Sequence, residues 1–143
     1  MIIRHADAND AHRIVEISQQ DGYGHPLDKE SILNYMKQGD IYLIAEENNK
    51  PLGVAKLALN EHAELELFVI LVKLDEQRKG LGSKLLKKIE KLASVKGNAL
   101  VLHVRVNNNK AIDFYKKHGF SVVQEIADLY EKGDRHYKMI KNL

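Results

Sequence analysis

The run Val72-Lys73-Leu74-Asp75-Glu76-Gln77-Arg78-Lys79-Gly80-Leu81-Gly82-Ser83 is the most informative in the chain. An apolar strand enters a glycine-bearing turn, and the turn enters a lysine-rich helix. The first N–H groups of a helix lack partners, and its N-terminus carries partial positive charge. Gly80 and Gly82 place no side chain between that helix end and a phosphate, and Arg78 and Lys79 add charge, so the turn is fit to hold an anion. It is not a P-loop, because no Gly-Lys-Ser/Thr follows four spacer residues after a glycine. It is not a dinucleotide fingerprint, because the third glycine is missing. Two side chains of the proton-transferring type lie inside apolar segments: Glu66 within Glu64–Lys73 and His103 within Ala99–Val106. The 7 histidines are scattered, none with a carboxylate at His-x-x-x-His spacing, and there is no cysteine. A thiolate metal site, a cysteine nucleophile and a disulfide framework are excluded, and no metal is expected.

The elements that must position these groups follow from periodicity and punctuation. Ile2–His5 reads as a strand, and Asp7 caps a helix over Ala8–Ser18. Asp21 to Pro26 breaks that helix, and Asp28 caps a second over Lys29–Lys37. Ile41–Glu46 and Leu52–Leu59 are strands joined by a turn over Asn48 to Pro51. Glu64–Lys73 is the longest strand, and its half from Leu67 to Val72, apolar on both faces, belongs at the centre of a doubly covered sheet. Period-2 alternation puts Glu66 on one face with Phe68, Ile70 and Val72. Leu81–Val95 is an amphipathic helix that buries Leu81, Leu85, Ile89, Leu92 and Ala93 and turns its lysines outward. Ala99–Val106 is a buried strand, Asn108–Lys117 a short helix closed by Gly119, and Phe120–Ile126 with Arg135–Ile140 a final hairpin. The order β-α-α-β-β-β-α-β-α-β-β implies an α/β (α+β) sheet with helices on both faces and a right-handed crossover over Glu64–Val106.

Length and charge bound the rest. The chain has 143 residues, which is one domain by length, and 44% hydrophobic with 29% charged residues is ordinary for a globular chain. No run of 18 apolar residues exists, and the start does not read as a signal peptide, so a cytoplasmic protein without membrane partners is expected. The net charge of +2 conceals an asymmetry: Gln77 to His118 holds 11 Lys+Arg against 2 Asp+Glu, leaving 11 basic and 18 acidic residues elsewhere. A cationic third of this kind attracts polyanions.

In this setting the chain resembles the GNAT family of N-acetyltransferases. Gln77-Arg78-Lys79-Gly80-Leu81-Gly82 fits that family's Gln/Arg-x-x-Gly-x-Gly/Ala motif, and Asn108 to Phe120 fits its Asn-x-x-Ala-x-x-x-Tyr-x-x-x-Gly-Phe pattern without a gap. The two motifs and the element order together span the chain. The resemblance implies a single N-acetyltransferase domain over residues 1–143 with a mixed, mostly antiparallel sheet. It implies acetyl-coenzyme A as co-substrate, its pyrophosphate on the turn formed by Leu74, Gln77, Arg78, Lys79, Gly80, Leu81, Gly82 and Ser83. Many relatives carry proline where this chain has Leu74; the backbone groups needed there are unaffected. The thioester carbonyl would meet N–H groups near Leu71 and Val72, where the two strands carrying Val72 and His103 part. Asn108 would bond the pantetheine arm. Lys110, Lys84, Lys116 and Lys117 would meet the 3′-phosphate.

An amine attacking a thioester must lose a proton, and the leaving thiolate must gain one. The resemblance points to Tyr115 as the acid. For the base it offers Glu66, where several acetyltransferases carry a glutamate, and His103, where enzymes acetylating protein N-termini carry a Glu or His. Imidazole titrates in the useful range. The tail from Leu129 to Met139 resembles the Tyr-Tyr-x-x-Gly-Glu-Asp-Ala-x-x-Met tail of N-terminal acetyltransferases, with Leu129 for the first tyrosine and Arg135-His136 for Asp-Ala. Acceptor contacts are expected from Tyr23 and Tyr130. The acceptor is expected to be a protein or peptide α-amine, or alternatively a small amine such as a polyamine, an amino acid or an antibiotic, or a lysine side chain. Readings of another class are a non-catalytic acyl-coenzyme A sensor or a nucleic-acid-binding module; no aromatics interleave with the basic residues, so no nucleic acid is expected. The chain is expected to be a monomer or a homodimer.

Overall fold

The structure is a computed structural model that describes residues 1–19 and 27–143. Its strands are β1 (Ile2–His5), β2 (Ile41–Glu47), β3 (Lys50–Leu59), β4 (Leu65–Val72), β5 (Ala99–Arg105), β6 (Ser121–Ala127) and β7 (Arg135–Asn142). Its α-helices are α1 (Ala11–Ser18), α2 (Lys29–Lys37), α3 (Leu81–Lys96) and α4 (Asn109–Lys117). The strands form one seven-stranded sheet in the order β1-β2-β3-β4-β5-β7-β6. Every neighbouring pair is antiparallel except β4 and β5, which run parallel on either side of α3. The expected mixed sheet with helices on both faces is therefore the observed one.

Local chemistry explains the boundaries. Asp7 accepts from the Asn9 N–H and forms a capping box with Asp10, but the first turn it starts, Ala8–Asp10, is 3-10 before α1 begins. Asp28 caps α2 through the Ser31 N–H at 2.8 Å. The turn between β2 and β3 needs only Asn48 and Asn49, both left-handed (φ 51° and 63°), so Pro51 lies inside β3, beside a register shift opposite Ala45 and Glu46. A second 3-10 turn, Leu74–Glu76, stands where the sequence predicts only loop.

Two apolar layers sandwich the sheet. α3 seals one with Leu81, Leu85, Leu86, Ile89 and Ala93, and Leu92 lies at its margin. Each fully buried Leu or Ile contributes about 1.5–3 kcal/mol. α1 and α2 cover the other layer against Tyr42, Val54 and Leu71. β4 lies between them, fourth of seven strands.

The alternation expected along β4 does not hold. Leu67 pairs with Leu57 and Val69 with Lys56, so Phe68 has no opposite residue on β3. This bulge shifts the alternation by one. Leu65 and Leu67 face the α3 layer, and past the bulge so do Ile70 and Val72, while Val69 and Leu71 face α1 and α2. Glu66 therefore shares its face with Phe68 but not with Ile70 or Val72.

Candidate active site

β4 and β5 share one register pair, Glu66 with Val101, and separate beyond it. A cleft opens on each side of this parting. One is bounded on β4 by Glu66 and Phe68, the other by Ile70, Leu71 and Val72. They are two residues apart on the strand, roughly 7 Å at the usual rise.

The second cleft, of about 640 Å³, lies against the turn that begins α3. Gly80, at the N-cap, is left-handed (φ 83°) and supplies no side-chain cap, so among the described residues the first-turn N–H groups have neither intrahelical nor capping partners. Arg78 is also left-handed (φ 65°). Gln77 braces the turn: its Nε2 donates to the Val72 carbonyl at 3.1 Å. Gln77, Arg78, Gly80, Gly82, Ser83, Asn108 and Lys110 line the cleft, with Lys117 and the Phe114 ring. A Cβ on Gly82 would lie 3.4 Å from Phe114 Cζ, an ordinary contact, so the protein itself does not require a glycine there.

Of the expected residues, Ser83, Asn108 and Tyr115 line this cleft, and Leu74, Lys79 and Leu81 do not. The Leu81 side chain is buried in the core, leaving only its backbone for a phosphate. Leu74 is exposed, and Lys79 reaches Glu76 at 3.6 Å; neither lines the cleft. Asn108 caps α4 by accepting from the Ala111 N–H at 3.2 Å. Ser83 is tied to α4. His118 Nδ1 lies 2.8 Å from the Phe114 carbonyl, which can only accept, so Nδ1 carries the proton and Nε2 accepts from the Ser83 hydroxyl at 2.9 Å. Tyr115 stands on the same cleft wall, edge-on to Phe114 and Phe120. Burial pushes its hydroxyl up to about 12, so it keeps its proton at neutral pH.

The first cleft, about 720 Å³, is built from β3 to β7, the end of α2, the β3–β4 turn and the β6–β7 loop. Glu66 is 3% exposed, with no positive residue beside it in sequence. Its Oε1 accepts from Asn60 Nδ2 at 3.0 Å, and its Oε2 lies 3.3 Å from His103 Nδ1. The second contact has ion-pair distance but not hydrogen-bond geometry, and His103 Nδ1 has no hydrogen-bond partner among the described residues. Tyr130 stands over the opening. Desolvation, then the charges of Glu66 and Asp134, push its hydroxyl above its ordinary value. Tyr23 lies outside the described residues.

Sequence reasoning missed Asn60 and Lys56. The Asn60 Oδ1 accepts from the N–H groups of His62 and Glu64, and its Nδ2 donates to both Glu64 and Glu66, so one turn residue aims a buried carboxylate. An asparagine opening a hairpin turn was the available signal. Lys56 Nζ stands 3.6 Å above the Tyr35 ring, 5.2 Å from that of Phe68 and 3.4 Å from Asp40, tying the end of α2 to the sheet. Burial lowers its pKa, and Asp40 partly offsets that.

Comparison with known proteins agrees with this arrangement. The fly (Drosophila melanogaster) protein named probable N-acetyltransferase san is 40% identical over 58 residues. That match covers 39% of this chain and 32% of the relative, so only about a third of the relative's length is spanned. Among solved structures, the Escherichia coli ribosomal-protein-S18-alanine N-acetyltransferase superposes with a TM-score of 0.84 at 23% identity, covering 99% of this chain and 92% of the other. A spermidine N-acetyltransferase chimera of Vibrio cholerae SpeG and hSSAT gives 0.79 at 17%, covering 99% and 96%. At these identities the two superpositions speak for the fold. The family model described as acetyltransferase (GNAT) matches residues 9–120, most of the chain. The chain therefore belongs to the acetyltransferase (GNAT) family.

Proposed function

We propose that this chain transfers the acetyl group of acetyl-coenzyme A to a primary amine in a ternary complex, the acceptor being the α-amine of a protein or peptide. The observation that carries the reading is the pair of clefts that β4 walls two residues apart, beside the point where its pairing with β5 ends. One offers uncapped helix N–H groups, Arg78, Lys110 and Tyr115; the other offers Glu66 and His103. The coenzyme supplies the thioester, and this chain supplies the proton transfers.

The acceptor arrives as an ammonium. Nδ1 of His103 faces Glu66, which leaves Nε2 as the ring nitrogen for the amine proton, and the Glu66 carboxylate stabilises the imidazolium that results. The freed amine attacks the thioester carbon; the C–N bond forms as the C–S bond breaks, and the nitrogen then releases its second proton to solvent, as the His103 imidazolium releases the first. Tyr115 gives its proton to the leaving sulfur and is reprotonated from solvent. The bulge at Phe68 and the absence of further β4–β5 pairs turn backbone groups of β4 toward the parting, where a carbonyl oxygen would develop charge.

One observation favours a second acceptor. Four carboxylates line the first cleft (Asp40, Glu61, Glu64 and Glu66) against two lysines, Lys56 and Lys138. This excess suits a small polycation, the acceptor class in the name of the spermidine enzyme of similar fold. Thiol release should be measured with acetyl-coenzyme A and two acceptor sets, unblocked peptides and polyamines. Turnover confined to peptides with a free α-amine supports the first reading, and turnover confined to polyamines replaces it. If no amine releases thiol while the coenzyme binds, the chain is a sensor and the enzymatic reading fails.

A further inference from the structure

The loop between β6 and β7 carries Leu129 and Tyr130, which wall the first cleft. This end of the sheet has little apolar material to hold a loop, since β6 is exposed along almost its whole length. A buried carboxylate takes that place. The Asp134 side chain, 1% exposed, accepts from the N–H groups of Leu129 (2.8 Å), Tyr130 (3.1 Å) and Glu131 (3.0 Å). Asp128 closes the loop from the other side, its N–H on the Asp134 carbonyl at 2.9 Å and its carboxylate on the Gly133 N–H. Burying a charge is costly unless it is fully bonded, and this one is bonded to the segment that carries Tyr130.

His136 stands behind it. Its side chain is 4% exposed, and its ring meets the Tyr130 ring edge-on with centroids 5.0 Å apart. Its Nδ1 is 3.6 Å from Asp134 Oδ1, beyond hydrogen-bond length, and has no hydrogen-bond partner among the described residues. The charged and titratable groups facing the imidazole are Asp134 and Tyr130 from the loop and Arg105 and His103 from β5. Arg105 is Cα-paired with His136, and His103 with Lys138, so all four side chains are on the face that carries the cleft. An unsatisfied buried imidazole is a poor choice for packing alone.

We propose that Asp134 and His136 are positioning residues for the acceptor: Asp134 sets the loop, His136 sets the plane of the Tyr130 ring, and acceptor affinity depends on both. The proposal rests on the acetyltransferase reading. Steady-state kinetics of H136A, D134A and D134N test it, with coenzyme affinity from calorimetry and folding from thermal denaturation. H136A and D134A should raise the acceptor KM about tenfold while kcat and the coenzyme Kd stay within twofold. D134N keeps one accepting oxygen but sets an NH2 donor against the remaining loop N–H, so it should recover only part of the loss. Unchanged KM in folded H136A overturns the proposal, as does a kcat that falls together with coenzyme affinity. Should D134A fail to fold, H136A and D134N decide between these outcomes. A wild-type chain that acetylates no amine fails the enzymatic reading itself and takes this proposal with it, a result distinct from an active enzyme with unchanged KM.

Discussion

The two clefts are made in opposite ways. The cleft at the α3 turn, the coenzyme side in the proposed reading, comes mostly from a short stretch of chain: a strand end, a turn with left-handed Arg78 and Gly80, and the open end of α3, joined by α4. What it offers a ligand is backbone N–H groups and the cations Arg78, Lys110 and Lys117, which form no ion pair among the described residues. The other cleft, the acceptor side in the proposed reading, comes from side chains on six separate elements, α2 and β3 to β7, and most of its charges are already matched: Lys56 to Asp40, Lys138 to Glu64, Glu66 to Asn60 and His103. A backbone site tolerates change in side chains but not in conformation; a side-chain site has the reverse sensitivity. The largest losses of turnover should therefore come from the acceptor side, and losses of coenzyme affinity from the turn.

The sharpest test is the pair Glu66→Ala with His103→Ala. General acid–base groups contribute typically 10²–10⁴-fold, so the double variant should lose about 10³-fold in kcat/KM. Its coenzyme Kd, read by calorimetry, should stay within twofold. If each single variant already costs about as much as both together, the two act as one unit. A double variant that keeps a tenth of its activity would remove both from the chemistry. Tyr115→Phe comes next. With the hydroxyl gone the leaving sulfur must take its proton from water, and kcat should fall about 10²-fold. Coenzyme affinity is the control: the ring stays, so a large rise in Kd would make Tyr115 a binding residue instead.

Gly80→Ala tests the other cleft. At φ 83° an L side chain is strained, although nothing lies within 4 Å of its Cβ. Left-handed backbone costs roughly 1–2 kcal/mol for a residue other than glycine. The helix start should rearrange, and coenzyme affinity should fall about tenfold with kcat at saturation little changed. Gly82→Ala, with only an ordinary contact to Phe114, separates the causes. If Gly82→Ala weakens the coenzyme as much while leaving thermal stability alone, a phosphate passes close to that Cα.

The same contrast explains what could be read from the sequence. The turn, α3 and the Tyr115 helix are local, so spacing alone located them, and Asp7 and Asp28 announced their helices. The bulge at Phe68 was illegible because it is a property of pairing: only the register with Leu57 and Lys56 shows that one residue is extra. From one shifted residue, Ile70 and Val72 changed face. Asn60 aims Glu66 across a turn, and Lys56 meets Tyr35 across 21 positions of sequence, so neither leaves a periodic signature. Alternation could suggest that Glu66 faced inward; it could not say that the carboxylate would be buried beside an imidazole from β5.

The smallest effect concerns stability and belongs to His136. Burial pushes its pKa down; Asp134 pulls it up but does not win, and Arg105 and His103 push it down further. Between the ordinary histidine value near 6.5 and the depressed folded one, the unfolded chain binds a proton that the folded chain refuses. Stability therefore rises with pH across that window and is lost as pH falls through it. One proton limits the slope to about 1.4 kcal/mol per pH unit. Asp134 acts lower: buried but held below its usual range by three N–H donors, it contributes stability above the unfolded carboxylate value and loses it on further acidification. The windows are separable by denaturant titration at pH 7.5, 6.5 and 5.5. His136→Gln cannot titrate there, and its stability should vary less over that interval than the wild type's. An equal slope in both would mean that the folded chain accommodates the imidazolium, with Asp134 swinging the remaining distance to pair with it. The loop would then have a second arrangement at low pH, visible as faster amide exchange at Leu129, Tyr130 and Glu131.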